Sequence, residues 1–185
     1  MVIIMRLIAK FTDNEYPYNG YNHTRNIVRA VVYNDNFEVA LMKVHCFDDF
    51  GERDLFETPG GGVEKGETLL EALHREIGEE LGVTIDKVEE IGRIEDYYNL
   101  IYRKNNNHYF LAHISGKVTQ HWTDLEKTLF EGVRYMNIDE AIKVYENMRN
   151  LPVNNLVKQR ELPILKIAKR RLKKVRCRQQ IIFVI

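Results

Sequence analysis

The chain holds two cysteines, four prolines and one tryptophan in 185 residues. Cys46 and Cys177 are too few and too far apart for a disulfide framework or a cysteine metal site, which fits a reducing compartment. No apolar run approaches the ~20 residues that a membrane-spanning helix needs. The opening Met1 to Met5 has no basic leader, long apolar centre or cleavage site, so no secretory signal is expected and the reading is cytoplasmic. Internal repeats and low-complexity tracts are also missing. With 44% hydrophobic and 29% charged residues, the chain has enough apolar material for one globular core.

Net charge is absent only in sum. Residues 151–185 carry ten Lys/Arg and one Asp/Glu out of 27 of each, so the first 150 residues are acidic by nine charges. From Pro163 onward, Leu165, Ala168, Leu172 and Val175 recur at helical spacing, with Lys166, Lys169, Arg170, Lys173 and Lys174 between them. An added basic helix is expected, with its apolar stripe docked and its cations outside. The best place for a hinge is Leu151 to Asn155, dividing a domain at 1–150 from an extension at 151–185.

What is present in abundance is acid at fixed spacing. Glu76, Glu79 and Glu80 stand at i, i+3 and i+4, on one side of a predicted helix. Like charges this close repel unless a cation sits among them, so the face reads as a divalent metal site. Before it, Pro59 and Gly60-Gly61-Gly62 allow a tight excursion in which main-chain groups approach a ligand. Thr68 is a natural N-cap with Glu71 three residues on, Leu69, Leu70, Leu73 and Ile77 form an apolar stripe, and Gly82 is a helix stop.

Gly61 is followed after five residues by Glu67, then after seven by Arg75-Glu76-Ile77, Glu79-Glu80, Gly82 and Val83. Every position of G-x5-E-x7-R-E-U-x-E-E-x-G-U, with U a bulky aliphatic, is filled. This resembles the Nudix box, the signature of enzymes that hydrolyse a nucleoside diphosphate linked to another group X. The resemblance implies an α/β fold, a Nudix-type α/β/α sandwich with a mixed sheet. It implies Glu76 and Glu80 as principal metal ligands, Glu79 as a further ligand and the Gly60 carbonyl as a backbone ligand, with Mg²⁺ as the ion and Mn²⁺ as the alternative. Arg75 and Glu67 would form an ion pair that orients the acidic side chains. The general base stays open between Glu76, Glu126 and Glu131, with His121 a weaker candidate.

Strand signals run over Asn26 to Tyr33 and Phe37 to Val44, separated by Asn34-Asp35-Asn36 as in a hairpin. Leu55 to Glu57, Val88 to Tyr98, Asn107 to Ile114 and Val133 to Asn137 are further strands, with Arg103 to Asn106 a polar loop. Ile138 to Arg149 reads as a helix, and Ile181 to Ile185 as a strand or a sticky end. Phe47, Phe50, Tyr97, Tyr98, Tyr102 and Trp122 fall in or near expected loops, where a ring could stack on a base. Arg25, Arg29, Arg53, Arg93 and Arg103 are phosphate-contact candidates. For substrate binding the reading selects Arg29, Tyr97 and Tyr98.

The expected substrate is a small nucleotide-like diphosphate. The proline that the family's ADP-ribose subgroup carries after the box is missing, since none occurs between Val83 and Leu151. The upstream pattern of coenzyme A hydrolases is absent as well. A second reading is an RNA 5′-end pyrophosphohydrolase or RNA-binding protein using the basic tail. A third is a non-catalytic nucleotide sensor, disfavoured by the complete carboxylate set. Resemblance to the family leaves a homodimer open, and no membrane partner is expected.

Overall fold

A computed structural model describes residues 5–151 and 153–182, with no side-chain description beyond Arg178. In chain order the elements are β1 (Leu7–Thr12), β2 (His23–Tyr33), β3 (Glu38–Asp48), β4 (Gly51–Glu57), α1 (Leu69–Leu81), β5 (Val83–Tyr98), β6 (Arg103–Lys117), α2 (Asp124–Leu129), β7 (Phe130–Asn137), α3 (Ile138–Glu146) and α4 (Asn154–Ile182). The seven strands form one mixed sheet in the order β1-β5-β6-β2-β3-β4, with β7 paired to β3. β1 runs parallel to β5 and β2 parallel to β6, while the other pairs are antiparallel.

The strands alternate cleanly between two cores because successive side chains point to opposite faces. Val28, Ala30 and Val32 of β2, with Ala40 and Met42 of β3, pack under α1 residues Ala72, Leu73 and Ile77. Val31, Tyr33, Val39 and Leu41 face the other way, against Ala141 and Tyr145 of α3 and Leu156, Val157, Ile164, Leu165, Ala168 and Leu172 of α4. Helices therefore cover both faces of the sheet, giving the α/β/α sandwich.

Three local expectations change. The hairpin of β2 and β3 pairs only at Tyr33 and Val39. Beyond the turn the strands part, and the glycine loop takes the vacated edge: Val28 N–H donates to Gly61 O (2.9 Å), Ala30 N–H to Pro59 O (3.0 Å) and Val63 N–H to Asn26 O (3.0 Å). β3 instead spends its edges on β4 and β7. Second, Arg103 to Asn106 is not a loop: the turn lies at Asn99 to Tyr102, and residues Arg103 to Asn106 extend β6 opposite Glu95 to Tyr98. Third, the basic helix begins nine residues before Pro163. A mid-helix proline costs about 3 kcal/mol, but Leu156, Arg160, Ile164, Ala168 and Leu172 continue one buried stripe across it, and that burial outweighs the lost backbone bond.

The expected hinge is tied down at Val153, whose N–H donates to Glu15 (3.0 Å), and at Asn154, whose amide donates to Arg149 O (3.0 Å). Pro152 and residues 183–185 of the expected terminal run lie outside the described residues, while Ile181 and Ile182 continue α4. Among the described residues no helix is long and apolar enough to cross a membrane.

Candidate active site

The glycine loop enters the sheet at Gly60, whose φ of 135° lies in a region L side chains avoid, and a Cβ there would strike the Val28 carbonyl and the Arg29 Cα. The turn points the Gly60 N–H at α1, where it donates to Glu80 Oε2 (2.6 Å). α1 starts as its sequence requires: Thr68 accepts from Glu71 N–H (3.2 Å) and Glu71 accepts from Thr68 N–H (2.8 Å). It ends on Gly82 at φ 66°.

The rotation of α1 differs from the simple stripe. Leu70 is exposed, whereas Leu73, Glu76, Ile77 and Glu80 share the buried face. Glu76 and Glu80 therefore project under the glycine loop instead of lying beside the apolar row. Glu79 points away, 41% exposed, and binds Arg75 Nη1 (3.1 Å). Arg75 is the hub of the loop: its Nε and Nη2 grip Glu67 (2.7 and 2.9 Å), Nη1 reaches Glu76 (2.8 Å), and Nη2 also donates to Gly62 O (3.0 Å). The Arg75 hydrogen bonds hold Glu67 far below the ordinary carboxylate range, at about 2.

The third carboxylate comes from α2. Carboxylate oxygens of Glu76, Glu80 and Glu126 lie within 4.8 Å of one another. Glu126 is placed by its own capping box, accepting from Thr123 N–H (2.7 Å) and Thr123 Oγ (2.9 Å). Thr123-x-x-Glu126 is visible in the sequence and is the signal that α2 would have needed. Glu131 sits on β7, exposed and outside the cluster. His121 is an exposed residue whose N–H donates to Glu79 O (3.0 Å), and it does not line the cleft.

Burial pushes Glu80 well above the ordinary carboxylate range and raises Glu76 too, with the charge of Glu76 adding to the shift of Glu80. Three clustered acids in a partly dry site, all hard oxygen donors, fit a divalent cation of the Mg²⁺ or Mn²⁺ type. Glu76, Glu80 and Glu126 are the side chains that could hold it.

The cluster forms one wall of a cleft of about 260 Å³, whose lining also includes five arginines, Arg25, Arg29, Arg53, Arg103 and Arg160. Arg29 donates to Thr58 O (2.9 Å) and pairs with Glu57 (3.0 Å). Arg160 arrives from α4, 1% exposed, and contacts Asp96 (3.0 Å), Glu161 (3.0 Å), the Tyr98 hydroxyl (3.1 Å) and Glu57 (3.5 Å). Glu161 in turn accepts from Thr58 Oγ (2.8 Å) and the Tyr109 hydroxyl (2.9 Å). Burial raises Glu57, but Arg29, Arg160 and Arg53 outweigh it and set its pKa at about 2.

Of the selected substrate residues, Arg29 and Tyr98 line the cleft; Tyr97 does not, and packs with Tyr18 and Tyr21. Arg93 is elsewhere, bound to Glu95 (2.9 Å). Phe47 and Tyr102 are exposed outside the cleft, and Trp122 props α1 by donating to Glu80 O (2.9 Å). Arg160 escaped the sequence reading because it lies before Pro163, where the docked basic helix was expected to begin. A wider groove of about 670 Å³ runs along α4 at Arg170, Arg171, Lys173, Lys174 and Arg178, and among the described residues no carboxylate lines it.

The NUDIX domain model matches residues 23–154. An RNA pyrophosphohydrolase of Francisella tularensis subsp. mediasiatica is 44% identical over 69 residues, covering 36% of this chain and 44% of that protein, so less than half of that relative is matched. Among solved structures, a NUDIX hydrolase from Nitrosomonas europaea aligns with TM-score 0.56 and 21% identity over 74% of this chain and 85% of that one. An ADP compounds hydrolase aligns with TM-score 0.60 and 16% identity over 84% and 76%. Identities this low speak for shared fold alone, but the family model spans most of the chain and includes the glycine loop, the acidic helix and the sheet that carries them. The chain belongs to the Nudix family of hydrolases.

Proposed function

We propose that this protein hydrolyses a diphosphate linkage in a nucleoside diphosphate-X type substrate, with Mg²⁺ as the working ion and Mn²⁺ as its substitute. One observation carries the reading: the Glu76, Glu80 and Glu126 carboxylates converge on the same small cleft as five arginines. An acidic wall repels a diphosphate unless a cation lies between them, and a basic wall attracts it, so together they orient a phosphate chain across the cleft. The ion, when bound, supplies charge neutralisation and polarises a phosphoryl oxygen.

The residues of the chain do the rest. Arg75 holds Glu76 in place, and the Gly60 N–H holds Glu80. Glu126, at the half-exposed edge of the cluster, is the carboxylate we assign to take the proton of the attacking water. Water adds at phosphorus, the bridging P–O bond breaks, and the leaving phosphate departs with the electron pair. Glu80→Gln should lower kcat by about 10³-fold, the loss of several kcal/mol of charge stabilisation, with the circular dichroism spectrum unchanged. Full activity in that variant, against a panel of nucleoside triphosphates, nucleotide sugars and dinucleoside polyphosphates, would refute the assignment.

A second reading is removal of pyrophosphate from RNA 5′ ends, supported by the Francisella relative and by the exposed cations of α4. Removing residues 158–185 would not test it, because Arg160 and Glu161 would go with them. Lys173→Glu with Lys174→Glu leaves the cleft whole; unchanged affinity for 5′-triphosphate RNA and an unchanged salt slope would rule out a role for the tail.

A further inference from the structure

Three of the five cleft arginines have their charge answered inside the protein: Arg29 by Glu57 (3.0 Å), Arg53 by Asp48 (2.8 Å) and Arg160 by Asp96 (3.0 Å). Arg25 and Arg103 do not. Among the described residues neither meets a carboxylate within 4.0 Å, and the buried Nε of Arg103 has no partner. Beside them, Arg160 Nη2, whose charge faces Glu57 at 3.5 Å, and Asn105 Oδ1 are also buried without a hydrogen bond. Burial, with Arg25 and Arg160 as like-charged neighbours, lowers the pKa of Arg103.

Arg25 is exposed at the mouth of the cleft and Arg103 is half-buried. Arg103 lies 5.1 Å over the Tyr98 ring. Arg25 lies against Gly62, where a Cβ would meet its Nη2 at 2.5 Å. The neighbouring Gly61 faces the Glu76 carboxylate in the same close way. Adjacent residues of one loop thus face the Glu76 carboxylate at Gly61 and the Arg25 guanidinium at Gly62.

We infer that Arg25 and Arg103, with Nη2 of Arg160, form an anion subsite for a phosphate with no further substituent, so that the substrate is a polyphosphate chain with one free end. This rests on the proposed role of the acidic wall in holding the scissile diphosphate. A terminal phosphate brings two negative charges and three acceptor oxygens to the two unanswered guanidiniums. A diphosphate capped on both sides would place a sugar or a second nucleoside there and leave the half-buried Arg103, whose Nε has no partner, without an answering charge.

The test is calorimetric titration of inorganic tripolyphosphate and of ADP-ribose, a diphosphate capped at both ends, into the whole protein with Ca²⁺ present. Arg25→Met and Arg103→Met should each weaken tripolyphosphate binding on the order of tenfold or more, and weaken ADP-ribose binding clearly less. Arg103→Lys should recover part of the loss. Thermal melting checks that folding is intact, which losing an unpaired arginine should not harm. Tripolyphosphate binding that is equal in wild type and both variants would overturn the subsite, as would equal losses for the two ligands. If binding behaves as expected but Glu80→Gln still turns over every substrate, the subsite stands and the hydrolytic assignment of Glu80 falls.

Discussion

Arg160→Met replaces a buried guanidinium by an apolar chain of similar reach, and its cost can be worked from the partners it abandons. Glu57 keeps Arg29 (3.0 Å), and Glu161 keeps Thr58 and the Tyr109 hydroxyl. Asp96, 0% exposed, keeps only the amide of Asn105 (2.8 Å). Removing one member of a buried pair typically costs 3–5 kcal/mol, and since two of three acids retain partners the lower part applies, about 3–4 kcal/mol. For a chain of this size each kcal/mol moves Tm by about 2–4 °C, so a fall of about 6–16 °C is expected. Urea unfolding followed by fluorescence, with the m-value unchanged, measures it directly. Adding Asp96→Asn removes the stranded charge and should return about half of the loss. A single variant within 1 kcal/mol of wild type, or a double variant no better than the single, would show that Asp96 does not depend on α4.

Glu80→Gln should raise the Tm of the metal-free protein at neutral pH, because burial disfavours the charged form of Glu80, and should abolish the further rise that Mg²⁺ gives wild type; a Mg²⁺ shift that persists would argue against Glu80 as a ligand. Gly60→Ala should cost about 1–3 kcal/mol from backbone strain alone, more with the clash at Val28, and displace Glu80, so calorimetry and turnover should fall together. Glu57 has a folded pKa of about 2 against an ordinary 4.5, so its contribution is present above pH 4.5 and lost as pH falls toward 2, up to about 3 kcal/mol. Stability measured across that window should fall less steeply in Glu57→Gln than in wild type.

Much of the acidic helix was legible before any coordinates because its determinants are local. Thr68, Glu71 and Gly82 set the ends of α1, and the offsets of Glu67, Arg75, Glu76 and Glu80 follow from one loop and one helix. Strand existence was readable in the same way, from the β-branched and aromatic runs of Asn26 to Tyr33 and Phe37 to Val44. The parting of β2 and β3 was not, because it depends on which segment wins the β2 edge, and the glycine loop competes there with β3.

The composition and spacing of this chain determined that it carries an acidic metal-type helix behind a glycine turn, a basic end and a two-faced sheet, since each is a pattern within a few turns or strands. Only the tertiary structure decided that Glu126, not Glu131, completes the carboxylate cluster, and that Glu79 turns outward. It also decided that the basic end reaches the site: Arg160 lines the cleft, and Glu161 beside it accepts from Thr58 and Tyr109. Such choices depend on contacts between residues up to about a hundred positions apart, such as Thr58 with Glu161, and no local pattern encodes which buried charge will meet which.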